Sequence, residues 1–176
     1  MDTGRPLTQA PRGMVASPHP LASRAGVEIL EAGGSAVDAA IAAAAVLCVV
    51  YPHMTSVGGD AFWLIHDARR GGVRFLNGGG RAAADATLEW FASRGLGGIP
   101  LHGIVPATLT VPGAVDSWCE AQAGHGRLTL ARDLAPAVGY ADASSARLAA
   151  MASVSSVTSG QPTLMTRGPP SLRPCP

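Results

Sequence analysis

The chain has 176 residues, of which 47% are apolar and 14% charged, and its formal net charge is +1. That length sustains one modest domain with a real core, and the near-neutral charge offers no electrostatic footprint for nucleic acid or an anionic membrane surface. All 13 basic residues are Arg, which removes the Lys that nucleotide phosphates, a pyridoxal Schiff base or a Ser–Lys dyad would need.

Residues 1–12 are polar and carry no apolar stretch of the signal-peptide kind, so a loose N-terminus and a cytoplasmic location are expected. Gly13-Met14-Val15-Ala16-Ser17 is a short apolar run closed by Pro18 and predicts a buried strand. Pro20 suits the first turn of a helix. Leu21, Ala25 and Ile29 then recur every four residues, and Gly33-Gly34 provides a C-terminal cap. Ser35 and Asp38 have the spacing of a capping box. The run from Ala36 to Val50 is so apolar that it predicts a helix buried on nearly all sides. It falls short of the ~20 apolar residues of a membrane span, and Asp38 interrupts its start.

Beyond Pro52, Thr55–Asp60 forms a Gly-rich loop. Ala61–Ile65 and Val73–Leu76 predict a β-hairpin. Asn77-Gly78-Gly79-Gly80 is expected to be a loop with unusual backbone angles. Thr87 caps a short helix, residues 95–108 form a long connection, and Val111-Pro112-Gly113 turns into a helix near Ala114–Ala123. A last helix, interrupted near Pro136, is expected over Leu128–Ala141. After Asp142 the composition shifts. The final 34 residues hold no acid, three Arg, seven Ser and five Pro. The expected organisation is therefore a loose segment at 1–12, a folded region at 13–142 and a divergent, disordered tail at 143–176.

Local chemistry is sparse. The five His are scattered without HExxH or HxH spacing and the three Cys form no CxxC pair, so no metal site is expected. Gly78–Gly80 lacks the GxGxxG pattern of a dinucleotide loop. His66 and Asp67 adjoin at a strand end but face opposite sides. Asp38 reads as a cap that complements the helix dipole. Arg81, following three glycines, is the one candidate binding residue, because glycines permit close backbone approach and a guanidinium can grip a carboxylate through two hydrogen bonds.

The order of segments is more specific than any one of them. Gly13–Ser17, His19-Pro20-Leu21-Ala22-Ser23, the Ala32–Ala42 stretch, Ser56–Phe62, Val111–Val115 and Leu134-Ala135-Pro136-Ala137 follow one another as they do in the γ-glutamyltransferase family. The resemblance covers about residues 13–142. It implies an N-terminal-nucleophile hydrolase with an α/β (α+β) fold, here an incomplete helix–sheet–sheet–helix sandwich. It also implies a precursor that cleaves itself to free a Thr, whose hydroxyl attacks a γ-glutamyl amide such as glutathione with its own α-amine as base. No cofactor or metal is implied.

Two departures shape the expectation for this chain. The family's nucleophile stands in a Thr-x-His segment, and no Thr here is followed two residues later by His. No catalytic residue is therefore assigned, and the chain is expected to be a truncated piece, inactive alone and wanting its small-subunit half as partner. Transferases of the family carry an Arg near the end of the second hairpin strand that binds the glutamate α-carboxylate. Aligned on Ala86-Thr87, that position falls on Gly79, with Arg81 two residues later. The Asn77–Ala82 form resembles the amidase or acylase-like branch, with oxamate or cephalosporin-type amides as alternative substrates. A non-catalytic fragment is the remaining alternative.

Overall fold

The computed structural model describes residues 9–98 and 109–159, with side chains described as far as Ser145. In chain order the elements are α1 (Pro20–Glu31), α2 (Ala36–Val50), β1 (Ala61–His66), β2 (Val73–Gly78), α3 (Leu88–Ala92), α4 (Ala114–His125) and α5 (Leu130–Ser159). The architecture mixes helices with one small antiparallel sheet, in agreement with the expected class. Among the described residues no helix is long and apolar enough to cross a membrane.

Helix α1 begins as its sequence dictates. Pro20 occupies the first turn, and the ring Nδ1 of His19 accepts the backbone N–H of Leu21 at 3.2 Å. Its buried residues, Ala22, Ala25, Gly26 and Ile29, form one face at helical spacing. At the far end Gly33 has a φ of +91°. The N–H groups of Gly33 and Gly34 return to the carbonyls of Leu30 and Ile29, each at 3.0 Å, which closes a Schellman motif. The predicted capping box opens α2. Ser35 Oγ accepts from Asp38 N at 3.1 Å and Asp38 Oδ2 accepts from Ser35 N at 2.7 Å. Ile41, Ala42 and Val46 are fully buried, while the last turn of α2 is half-buried.

The hairpin pairs Ala61 with Gly78, Trp63 with Leu76 and Ile65 with Arg74 on one face. Trp63, Ile65 and Leu76 pack on the core that α2, α4 and α5 share. The other face carries Phe62, Leu64, Val73 and Phe75, all exposed. Helix α4 lies against the end of the hairpin. There Trp63 Nε1 donates to Ser117 Oγ at 3.1 Å, and that hydroxyl donates to the Ala114 carbonyl at 2.6 Å.

Several expectations need correction. Residues 13–17 form no strand and are mostly exposed. No ladder partner lies beside them among the described residues, and Val15 instead packs against Gly26 of α1. Asn77–Gly80 contains no positive φ; Gly78 is the last residue of β2, and these glycines answer a demand for space. Pro136 does not interrupt the last helix, which runs through it as one element. A proline there forfeits one backbone hydrogen bond. The packing of Leu130, Leu134, Ala137 and Tyr140 on the core offsets that loss. Helix α4 also extends two residues beyond its expected end, to His125. The backbone of α5 continues past position 142 to Ser159. Most of the connection expected over 95–108 and the last part of the tail fall outside the described residues.

Candidate substrate cradle at the hairpin end

Arg81 sits where three segments meet: the loop before β1, the glycines after β2 and the Val111-Pro112-Gly113 turn before α4. Its backbone is fixed on both sides. Gly80 N donates to Asp60 Oδ1 at 2.7 Å, and the Arg81 carbonyl accepts from Val111 N at 2.9 Å. Ala82 and Thr110 then form an antiparallel bridge. The N–H groups of Gly113 and Ala114 converge on the Gly59 carbonyl at 3.2 and 2.9 Å. That pair of bonds ties the start of α4 to the loop before β1.

Glycine is required here for room. A Cβ on Gly80 would lie 1.9 Å from the Val111 carbonyl oxygen, and one on Gly78 would lie 2.4 Å from Ser117 Cβ. A Cβ on Gly113 would meet the Gly78 carbonyl oxygen at 2.6 Å. The close approach expected of these glycines is therefore made to the protein's own backbone. The Arg81 side chain is exposed and takes part in no hydrogen bond or ion pair among the described residues. Its guanidinium is thus displayed on a rigid backbone with its donors available. Asp60 also lines, with Pro52, His53, Thr55, Ser56 and Gly59, an open cleft of about 330 Å³.

Asp38, read from the sequence as a cap, does more. Besides Ser35, its Oδ2 accepts the backbone N–H groups of Arg127 at 2.8 Å and Leu128 at 3.3 Å, so it ties α2 to the α4–α5 connection. Burial disfavours its charge, but the N–H donors of Ser35, Arg127 and Leu128, together with the N-capping hydroxyl of Ser35, hold its pKa below the usual carboxylate value. Two residues escaped sequence reasoning. Asp60 lies within a recognised segment, but nothing local shows that it receives the Gly80 N–H. Asp133, fully buried, looks in sequence like any acid in a first helical turn. Among the described residues no group of three His, Cys, Asp or Glu side chains could hold a metal ion.

The fold and this site define a mixed α/β scaffold that presents an arginine from a glycine-walled cradle at the end of a hairpin. More specifically, the chain belongs to the gamma-glutamyltranspeptidase family, whose sequence model matches residues 22–158. It is 51% identical over 128 residues to the glutathione hydrolase-like YwrD proenzyme of Bacillus subtilis (strain 168), covering 73% of this chain and 24% of that protein. It is 46% identical over 135 residues to the oxamate amidohydrolase proenzyme of Klebsiella pneumoniae, covering 74% of this chain and 25% of that protein. Among solved structures, the cephalosporin acylase from Bacillus halodurans superposes with a TM-score of 0.65 at 39% identity, over 80% of this chain and 27% of that one. The chain spans about a quarter of the length of the curated relatives it matches.

Proposed function

We propose that this chain forms part of a hydrolase or transferase of γ-glutamyl or related amides, in which Arg81 contacts a carboxylate of the substrate. The attacking Thr is contributed by sequence outside these 176 residues. The observation that carries the reading is the family match over 22–158, joined to relatives named as amide-hydrolysing proenzymes. An alcohol becomes a useful nucleophile only with a base held at hydrogen-bond distance. In the family this base is the α-amine of the freed Thr. The sequence supplies no Thr-x-His, no Lys and no Ser in a GxSxG elbow. The fold completes as a helix–sheet–sheet–helix sandwich when a further sheet lies over the apolar outer face of the hairpin.

A second reading within the same chemistry gives the enzyme an amide that lacks the γ-glutamyl group. The Asn77-Gly78-Gly79-Gly80-Arg81-Ala82 form favours it, as does the similarity to an oxamate amidohydrolase. Two assays decide these matters. Purified 1–176 is expected to release no product from γ-glutamyl-p-nitroanilide or oxamate above a mock purification, with an unchanged intact mass. Turnover by the chain alone overturns the placement of the nucleophile. Co-expression with the part of the YwrD-like proenzyme that follows its matched region is expected to yield turnover of one of the two substrates, which names the branch. A folded, processed complex inactive on both and on a panel of acyl amides removes the hydrolase reading.

A further inference from the structure

Two acids are wholly buried in the described fold, Asp38 on α2 and Asp133 on the first turn of α5. Oδ2 of Asp38 is fully engaged by the N–H groups of Ser35, Arg127 and Leu128. Its Oδ1 and both oxygens of Asp133 have no hydrogen-bond donor. The two carboxyls are within hydrogen-bonding reach of each other. A Cβ on Gly126 would stand 2.7 Å from Asp38 Oδ1, so the connection between α4 and α5 seals this side of the pair.

Among the described residues no cation answers these charges. Arg127 contributes its backbone N–H while its side chain is exposed, and Arg132 on α5 is exposed as well. On α1, Arg24 is engaged with Glu28 at the surface. At the end of α4, Gln122 donates to the Leu128 carbonyl, and half-buried His125 faces the outer cleft with Arg69, Arg70 and Asp67. Asp116 and Glu120 on α4 are exposed. Two facing carboxylates in a dry site cannot both remain ionised without a large electrostatic cost. One proton removes the repulsion and supplies the missing donor.

We infer that Asp133 is held as a neutral carboxylic acid whose O–H donates to Asp38 Oδ1, so that a single buried proton joins the start of α2 to the start of α5. The assignment of the proton follows from the donors. Asp38 collects three N–H groups that favour its anion, whereas Asp133 has none. Burial, then the Asp38 charge and the hydrogen bond with Asp38, pushes the Asp133 pKa up to about 7. As pH rises past that point the proton leaves, and two like charges face each other between the helices. The sign is that of a carboxyl whose folded-state pKa lies above its unfolded value. Its stabilisation is complete below about pH 4 and is lost progressively as pH rises to about 7. Asp38 behaves oppositely, losing its contribution as pH falls below the usual carboxylate range, so the pair is strongest in mild acid.

The test uses the whole 176-residue chain. Its unfolding midpoint in denaturant is expected to fall as pH rises from about 5 to about 7 and to level off above. In Asp133→Asn the amide donates to Asp38 Oδ1 at any pH, so the midpoint is expected to stay nearly level over that window and to exceed the wild type at the alkaline end. Independently of any variant's folding, the infrared spectrum of the wild-type chain in mild acid should contain the carbonyl stretch of a buried protonated carboxyl, titrating away near neutrality. A spectrum with no such band overturns the proposal, and so does an Asp133→Asn chain that keeps the wild-type slope. Saturable stabilisation by millimolar calcium or magnesium at the alkaline end, abolished in Asp133→Asn, would overturn it in favour of a cation between the acids.

Discussion

The helical layer and the hairpin use apolar residues in opposite ways. On α2, Ile41 and Val46 are fully buried, enclosed by α1, α4 and α5. On the hairpin, only the face bearing Trp63, Ile65 and Leu76 is packed. The other face leaves Leu64 78% and Phe62 65% exposed. A two-stranded hairpin alone is marginal in water, so β1 and β2 owe their order to the helices beneath them. An apolar patch on the outer face, in a chain spanning a quarter of its relatives' length, is the kind of surface that associates or aggregates. The contrast teaches that the unbroken apolar run of β1, Ala61–Ile65, suits two covered faces, of which one is packed among the described residues.

Substitutions on the two faces sharpen this contrast. The largest effect is expected from Ile41→Ala, which leaves a cavity among α1, α2 and α5. Denaturant unfolding should show a loss of about 2–5 kcal/mol. Gly80→Ala comes next. Its methyl would collide with the Val111 carbonyl, and forcing the two segments apart should cost about 1–3 kcal/mol in the same measurement. Arg81→Ala should leave stability within about 0.5 kcal/mol. In the enzyme proposed above, it should raise KM by roughly ten- to a hundredfold, the worth of a charged hydrogen bond. An unchanged KM would return Arg81 to the surface. The smallest stability change belongs to Leu64→Ser with Phe75→Ser. Exposed as these residues are, the double variant should unfold within about 1 kcal/mol of wild type, while light scattering shows less aggregation. If it were as damaging as Ile41→Ala, the outer face would already be covered and the comparison would collapse.

Much of the helical layer was legible before any coordinates. The cap from His19-Pro20, the Gly33-Gly34 ending and the Ser35–Asp38 box each depend on residues within one turn of one another. Thr87 capping α3 and the two strands of the hairpin were visible for the same reason. Arg81 was singled out as a candidate by its residue type and its glycines, although those glycines face Ser117 and Val111. Asp133 could not be found, because an acid in a first helical turn is ordinarily an exposed dipole partner.

The sequence by itself determined which stretches are helix or strand, where most of them start and stop, and to which family the ordered segments belong. Periodicity and capping are short-range, and a few neighbouring residues carry them. Only the tertiary structure decided that residues 13–17 find no sheet, that a helix runs through Pro136, and that Asp38 binds N–H groups 89 and 90 residues away. It alone brought Asp133 against Asp38. Each of these outcomes rests on which distant surface happens to lie opposite. The free energy of a buried charge or a missing hydrogen bond is set by that neighbour, not by the residues on either side in the chain.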